Sequence, residues 1–198
     1  MTTKAEKTAE FIIQKVAPIF NKHGYSGTSL SDLTKATKLT KGAIYGNFKN
    51  KEELAMLAFS YNVQRVVDKI KVHLSHTISP LEQLYKLTSF YRSYRIFTLE
   101  NGGCPLINIG VDANHDNMTL LLKVREIIAR LQKGISKMIR AGIEAGEIKP
   151  TVDADKYGRY FFTMIEGAVF LMTTMDDDQF LVESMDRIDD IISKELAI

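Results

Sequence analysis

A single cysteine, Cys104, stands in the whole 198-residue chain. That excludes an internal disulfide framework and a cysteine-rich zinc site, and it fits a reducing compartment, so a cytoplasmic location is expected. No run approaches the ~18 consecutive apolar residues of a membrane span, and no membrane partner is expected. The N-terminal MTTKAEKTAE lacks the apolar core of a signal peptide, so export is not expected. Alternation of period two, the mark of strands, persists nowhere. Also missing are a nucleotide-binding loop, a Glu-x-x-His pair on facing helices and a nucleophile–base constellation. A small helical enzyme or metal-carboxylate protein, the alternative class, therefore lacks a motif, and no cofactor is expected.

What the chain does contain is 45% hydrophobic and 25% charged residues, enough for one ordinary domain or two small ones. The net charge of +2 conceals a division. Residues 1–75 hold 12 Lys+Arg against 6 Asp+Glu, a balance of +6, and the remainder carries −4. A basic third on a mildly acidic remainder fits a polyanion-binding end, and equally a chance clustering on a solvated surface.

Every long segment has helical periodicity, which predicts about nine helices in an all-α chain. Ala9, Ile12, Ile13, Val16 and Phe20 share one face of a first helix over about 5–23, with a bend expected at Pro18 and a left-handed stop at Gly24. Ser29 with Asp32, Thr40, Asn50 with Glu53, and Ser79-Pro80 with Glu82 are N-terminal capping signals for the next four helices. The helix from Ser79 is expected to run to about Leu99. Further helices are expected over 104–114, 117–146 and 153–175. A last one is expected after Asp176-Asp177-Asp178-Gln179.

Residues 29–48 make two short helices joined by a tight turn, the size of a helix-turn-helix. The second begins Thr40-Lys41-Gly42-Ala43-Ile44-Tyr45. Lys41 supplies a mobile cation, Gly42 and Ala43 permit close approach, and Ile44 and Phe48 face inward at a four-residue step. A short helical pair alone is common, so at this point DNA binding and a purely structural role stand side by side.

The run Ala17-Pro18-Ile19-Phe20, His23 to Ser29, Leu33, Lys41 to Tyr45, Phe48 and Lys51-Glu52-Glu53-Leu54 resembles the TetR family of bacterial repressors. Gly103-Cys104-Pro105-Leu106-Ile107-Asn108 and Ile165-Glu166-Gly167-Ala168 resemble the ligand-domain wording of one TetR subgroup. The resemblance implies a homodimeric repressor with a three-helix DNA-binding domain over 1–60 and a helical effector-binding and dimerisation domain over 61–198. It further implies double-stranded operator DNA and an unidentified small-molecule effector as partners. On the family pattern, Thr28, Ser29, Thr40, Lys41, Gly42, Ala43, Tyr45, Asn47 and Lys51 face DNA. Lys41, Tyr45 and Lys51 take phosphates, while Asn47 and the Gly42-Ala43 surface take base edges. Two departures, Thr37-Lys38 at the turn and Gly46-Asn47 before Phe48, bear on which operator is read rather than on the mode of docking.

The family pattern also places the apolar stripes Phe161, Ile165, Ala168, Met172 and Leu181, Met185, Ile188, Ile192 in a subunit interface. Without it, an internal core stripe explains them equally well. Tyr91, Tyr94, Arg95, Cys104, Asn108, Phe162 and Glu166 are candidate effector-pocket residues, with an aromatic core and surface arginines as the plainer reading. Asp112, His115 and Asp116, or His73 and His76, have spacings compatible with metal ligation, though solvated loop-edge residues look the same. Cys104, after two glycines and before Pro105, suits a small buried group at a helix entrance better than a sensing thiol.

Overall fold

Capping chemistry sets most of the helix boundaries. The computed structural model describes residues 3–198, apart from the side chains of residues 114–116. Within that range the order is α1 (Lys4–Gly27), α2 (Leu30–Thr37), α3 (Lys41–Tyr45), α4 (Lys51–Leu74), α5 (Pro80–Arg92), α6 (Tyr94–Asn101), α7 (Pro105–Asp116), α8 (Met118–Glu144), α9 (Ala154–Met175) and α10 (Gln179–Ile191). A short π-helical turn, Ile192–Leu196, follows. No β-strand occurs among the described residues; Ile148 and Ala197 form one isolated antiparallel bridge.

The expected caps are present. Ser29 and Asp32 form a reciprocal capping box at α2, and the Ala43 amide donates to Thr40 Oγ1 at 3.2 Å. The Glu53 amide donates to Asn50 Oδ1 at 2.8 Å, and the Glu82 amide to Ser79 Oγ at 3.1 Å. At α10 the cap lies one residue earlier than Asp178: the Gln179 amide donates to Asp177 Oδ1 at 2.9 Å. In α1 the dihedrals leave the helical region at Gly24, not at Pro18.

The expected single helix from Ser79 to Leu99 is two. Ser93, at φ −103° and ψ 8°, separates α5 from α6, and its amide and hydroxyl both donate back to the Phe90 carbonyl. The flanking arginines are held by different acids. Arg92 binds Asp186 and Asp189 at 2.6 Å each, whereas Arg95 binds Asp176 and Asp178. This break makes ten α-helices of the expected nine.

Two compact units organise the chain. Unit one comprises residues 1–67 and 98–125, and unit two comprises 68–97 and 126–198. The first unit thus takes back a later segment, including α7, beyond the expected cut at residue 60. Its core gathers Ile12, Val16 and Phe20 of α1, Leu33 of α2, Ile44 of α3 and Leu54 and Ala58 of α4, all fully buried. Each large side chain so buried contributes about 1.5–3 kcal/mol, which is what lets a five-residue α3 persist. In unit two, α10 packs against both α9 and α5. Thr88 of α5 donates to Asp189 of α10 at 2.6 Å.

Candidate nucleic-acid interface

The short helix α3 is held from behind and bare in front. Ile44 is fully buried and Phe48 nearly so, while Lys41, Gly42 and Ala43 are exposed and Tyr45 is half-buried. Between α2 and α3, Lys38 adopts the left-handed conformation at φ 57° and ψ 26°, which is the geometry the turn demands where a glycine would be the easier choice. Thr37, buried, donates its hydroxyl to the Leu33 carbonyl at 2.8 Å and accepts from the Leu39 amide at 3.3 Å. The turn therefore has its polar groups satisfied within four residues.

The remaining candidates divide by how their polar atoms are used. Thr40 and Ser29 are exposed caps. Thr28 is buried, and its hydroxyl donates to the Gly24 carbonyl at 2.6 Å, so its side chain braces the turn before α2 rather than facing outward. Asn47 donates from Nδ2 to the Ala43 carbonyl at 2.9 Å, closing the C-terminal end of α3. One donor of a group expected at a base edge is thereby engaged by α3, while Gly42 and Ala43 stay exposed. Lys51 lies with Nζ 4.5 Å from the Tyr25 ring centroid. Burial pushes its ammonium below the ordinary lysine value, against the pull of Asp112 and Asp32.

A basic, exposed helix start carried on a buried helical pair is a DNA-reading arrangement. Residues 12–56 match the family model of bacterial regulatory proteins, tetR family, and residues 80–188 match the tetracyclin repressor-like C-terminal domain. The chain belongs to the TetR family. A TetR-family transcriptional regulator from Cytophaga hutchinsonii, 33% identical, covers 100% of this chain and 98% of its own, with a TM-score of 0.93. A TetR transcriptional regulator from Chloroflexus aurantiacus J-10-FL is 31% identical, covers 98% of each chain and has a TM-score of 0.90. The HTH-type transcriptional repressor DhaR of Mycobacterium sp. (strain GP1) is 25% identical over 179 residues, 87% of each chain. The protein is a DNA-binding transcriptional regulator, and the enzyme alternative is not favoured.

The residues that the family pattern puts at a subunit interface are buried within the single chain. Phe161, Ile165, Ala168, Met172, Leu181, Met185, Ile188 and Ile192 are all at most 3% exposed within the single chain. They lie in the core of unit two, where α9 and α10 pack on each other. The exposed side of α9 carries Tyr160, Gly167, Phe170, Leu171 and Met175. Periodicity identified the shared face; only the family pattern had named a neighbour for it.

The seven candidate effector residues are shared between the two units. Cys104 and Asn108 belong to unit one, and Tyr91, Tyr94, Arg95, Phe162 and Glu166 to unit two. Asn108 donates from Nδ2 to the carbonyls of Asn21 and Gly102, at 2.8 and 2.9 Å, a structural clamp. Arg95 is engaged by Asp176 and Asp178. Phe90, Tyr91, Tyr94 and Phe97 make a continuous aromatic run, with ring centroids 5.2–5.4 Å apart at each step from Phe90 to Tyr91, Tyr91 to Tyr94 and Tyr94 to Phe97. A cleft of about 500 Å³ opens elsewhere in unit two, lined by Lys156, Tyr157, Arg159, Tyr160, Thr163 and Glu195, none of them among the seven. Cys104 is 4% exposed. Of the metal-spaced residues, Asp112 accepts two backbone amides, while the side chains of His115 and Asp116 lie outside the described residues. No trio of His, Cys, Asp and Glu groups as a metal site among the described residues, and no helix there is long and apolar enough to cross a membrane.

Proposed function

We propose that the chain is a homodimeric repressor acting in the cytoplasm, which docks α3 in the major groove of a palindromic operator and leaves it when a small molecule binds unit two. The observation that carries the reading is the exposed Lys41-Gly42-Ala43 face of α3, mounted on buried Ile44 and Phe48. Lys41 serves as a phosphate contact, and Gly42 and Ala43 allow the backbone to approach base edges. Replacing Lys41 by Ala is expected to weaken binding to specific and scrambled duplexes alike and to flatten the salt slope by about one unit. Fluorescence anisotropy over a salt series on a duplex recovered from a random library measures both. Intact affinity and slope would remove α3 from the reading role.

The subunit interface in this reading is the exposed side of α9. Phe170, Leu171 and Met175, between 40% and 61% exposed, put apolar side chains on the outward side of α9, where a partner would cover them. At Gly167 an added Cβ would meet nothing within 4 Å, so a second helix can approach closely there. Phe170→Glu is expected to give a folded monomer that still melts cooperatively and has a much weaker grip on a two-half-site duplex. Sedimentation checks the mass; an intact dimer would place the interface elsewhere. The effector reading rests on the aromatic run that includes Tyr91 and Tyr94, with Phe162 and Glu166 in the same unit, a mixture suited to an aromatic or apolar molecule with one polar group.

A further inference from the structure

The passage from α1 to α2 is closed by a residue far away in sequence. Gly24 leaves the helical region at φ 72° and ψ 178°, and the next two amides turn to a distant side chain. Both donate to Asp112 Oδ2 of α7, Tyr25 at 2.6 Å and Ser26 at 3.2 Å. On the other side of the turn the Thr28 hydroxyl returns to the Gly24 carbonyl, and the following residue, Ser29, is the N-cap of α2. Space is reserved for the carboxylate as well: a Cβ on residue 24 would lie 2.9 Å from Asp112 Cγ. Helix α7 is itself fastened to α1 through Asn108 as described, and the segment leading into α7 is held by Asn21, whose Nδ2 donates to the carbonyls of Asn101 and Gly103 at 2.7 and 3.0 Å. The same acid attracts Lys51 at the start of α4, which lies over the Tyr25 ring.

We propose that Asp112 is a positioning residue for operator recognition: by accepting the Tyr25 and Ser26 amides it sets the direction in which α2, and α3 braced on it, leave α1. The assignment rests on the reading that α3 docks on DNA. An amide accepted by a carboxylate is a charge-assisted bond, stronger than a neutral one, and here one oxygen takes two. The two bonds hold the amide side of a turn whose other side the Thr28 hydroxyl holds, so without them those amides turn to water and α2 loses a fixed bearing. Lys41, Gly42 and Ala43 remain on the surface in that state but no longer share one register with the groove.

The test uses the full chain and a duplex that the parent protein recovers from a random-sequence library, compared with its scrambled counterpart. Asp112→Ala is expected to lower the ratio of selected to scrambled affinity by about tenfold, a loss of the size expected for charged hydrogen bonds. Affinity for the scrambled duplex and its salt slope stay unchanged. Amide hydrogen exchange at Tyr25 and Ser26 is expected to accelerate in the same variant. Asp112→Asn, which keeps an acceptor oxygen, is expected to retain both the protection and most of the ratio. A ratio unchanged in Asp112→Ala overturns the assignment, as does an equal loss on both duplexes accompanied by a lower melting temperature. Should Asp112→Ala fail to fold, retained protection in Asp112→Asn with a collapsed ratio overturns it too. A parent chain that recovers no duplex overturns the docking reading and this assignment together, whereas recovery by the parent with an unaffected Asp112→Ala overturns the assignment alone.

Discussion

Ile188→Glu is expected to abolish or severely weaken cooperative folding, not to release a folded monomer. Ile188 is 1% exposed on α10, which packs on α9 and α5. A carboxylate there has three outcomes: it stays charged without a partner, it protonates, or the helix moves away. Each costs several kcal/mol, on top of the lost burial of the isoleucine. A total of about 4 kcal/mol or more is a large part of a typical stability of about 5–15 kcal/mol. In a chain of this length it lowers the melting temperature by roughly 10 °C or removes the sigmoidal transition. Circular dichroism melts of parent and variant measure it. A variant that melts within a degree or two of the parent, as a monomer, would return Ile188 to a subunit interface. The contrast with Phe170→Glu, 18 positions away and half-exposed, separates core from interface with one class of substitution.

Gly158→Ala is expected to destabilise the chain although it removes a glycine from the interior of α9. On helix propensity alone the change stabilises by about 1 kcal/mol. The tertiary contact reverses the sign. A Cβ at residue 158 would stand 2.2 Å from Ser136 Oγ, 3.0 Å from the Gln132 carbonyl oxygen and 3.1 Å from the Ser136 amide nitrogen of α8. The hydroxyl can rotate, but two of the three atoms are backbone, so α8 and α9 must separate. Overpacking of this kind costs about 1–3 kcal/mol, enough to outweigh the propensity gain. Urea titration gives the difference directly, with an unchanged slope expected and a lower midpoint. A midpoint raised by the alanine would mean that α8 yields freely, and that this close approach carries no packing energy.

Local chemistry made much of the chain legible in one dimension. The caps at Ser29, Thr40, Asn50 and Ser79 act over three residues, so they can be read from adjacent letters, and the structure holds all four. The family resemblance put Thr37-Lys38 at the turn, and Lys38 takes a positive φ of 57° there. The inward pair Ile44 and Phe48 follows from a four-residue step on a short helix with a single buried side. These features, together with the wording of residues 8–60, were enough for the helix-turn-helix and for the family.

The tertiary structure alone decided which partner each face meets. Periodicity says that Ile165, Ala168 and Met172 lie together; it carries no information on whether α10 of the same chain or a second chain covers them, because both burials remove the same apolar area from water. The break at Ser93 is flanked by Arg92 and Arg95, whose acid partners lie some 80–100 positions away and so cannot be read from the neighbouring letters. Asp112 looked like an exposed helix-end acid because its two donors are backbone amides 86 and 87 residues earlier, and a backbone amide has no letter of its own.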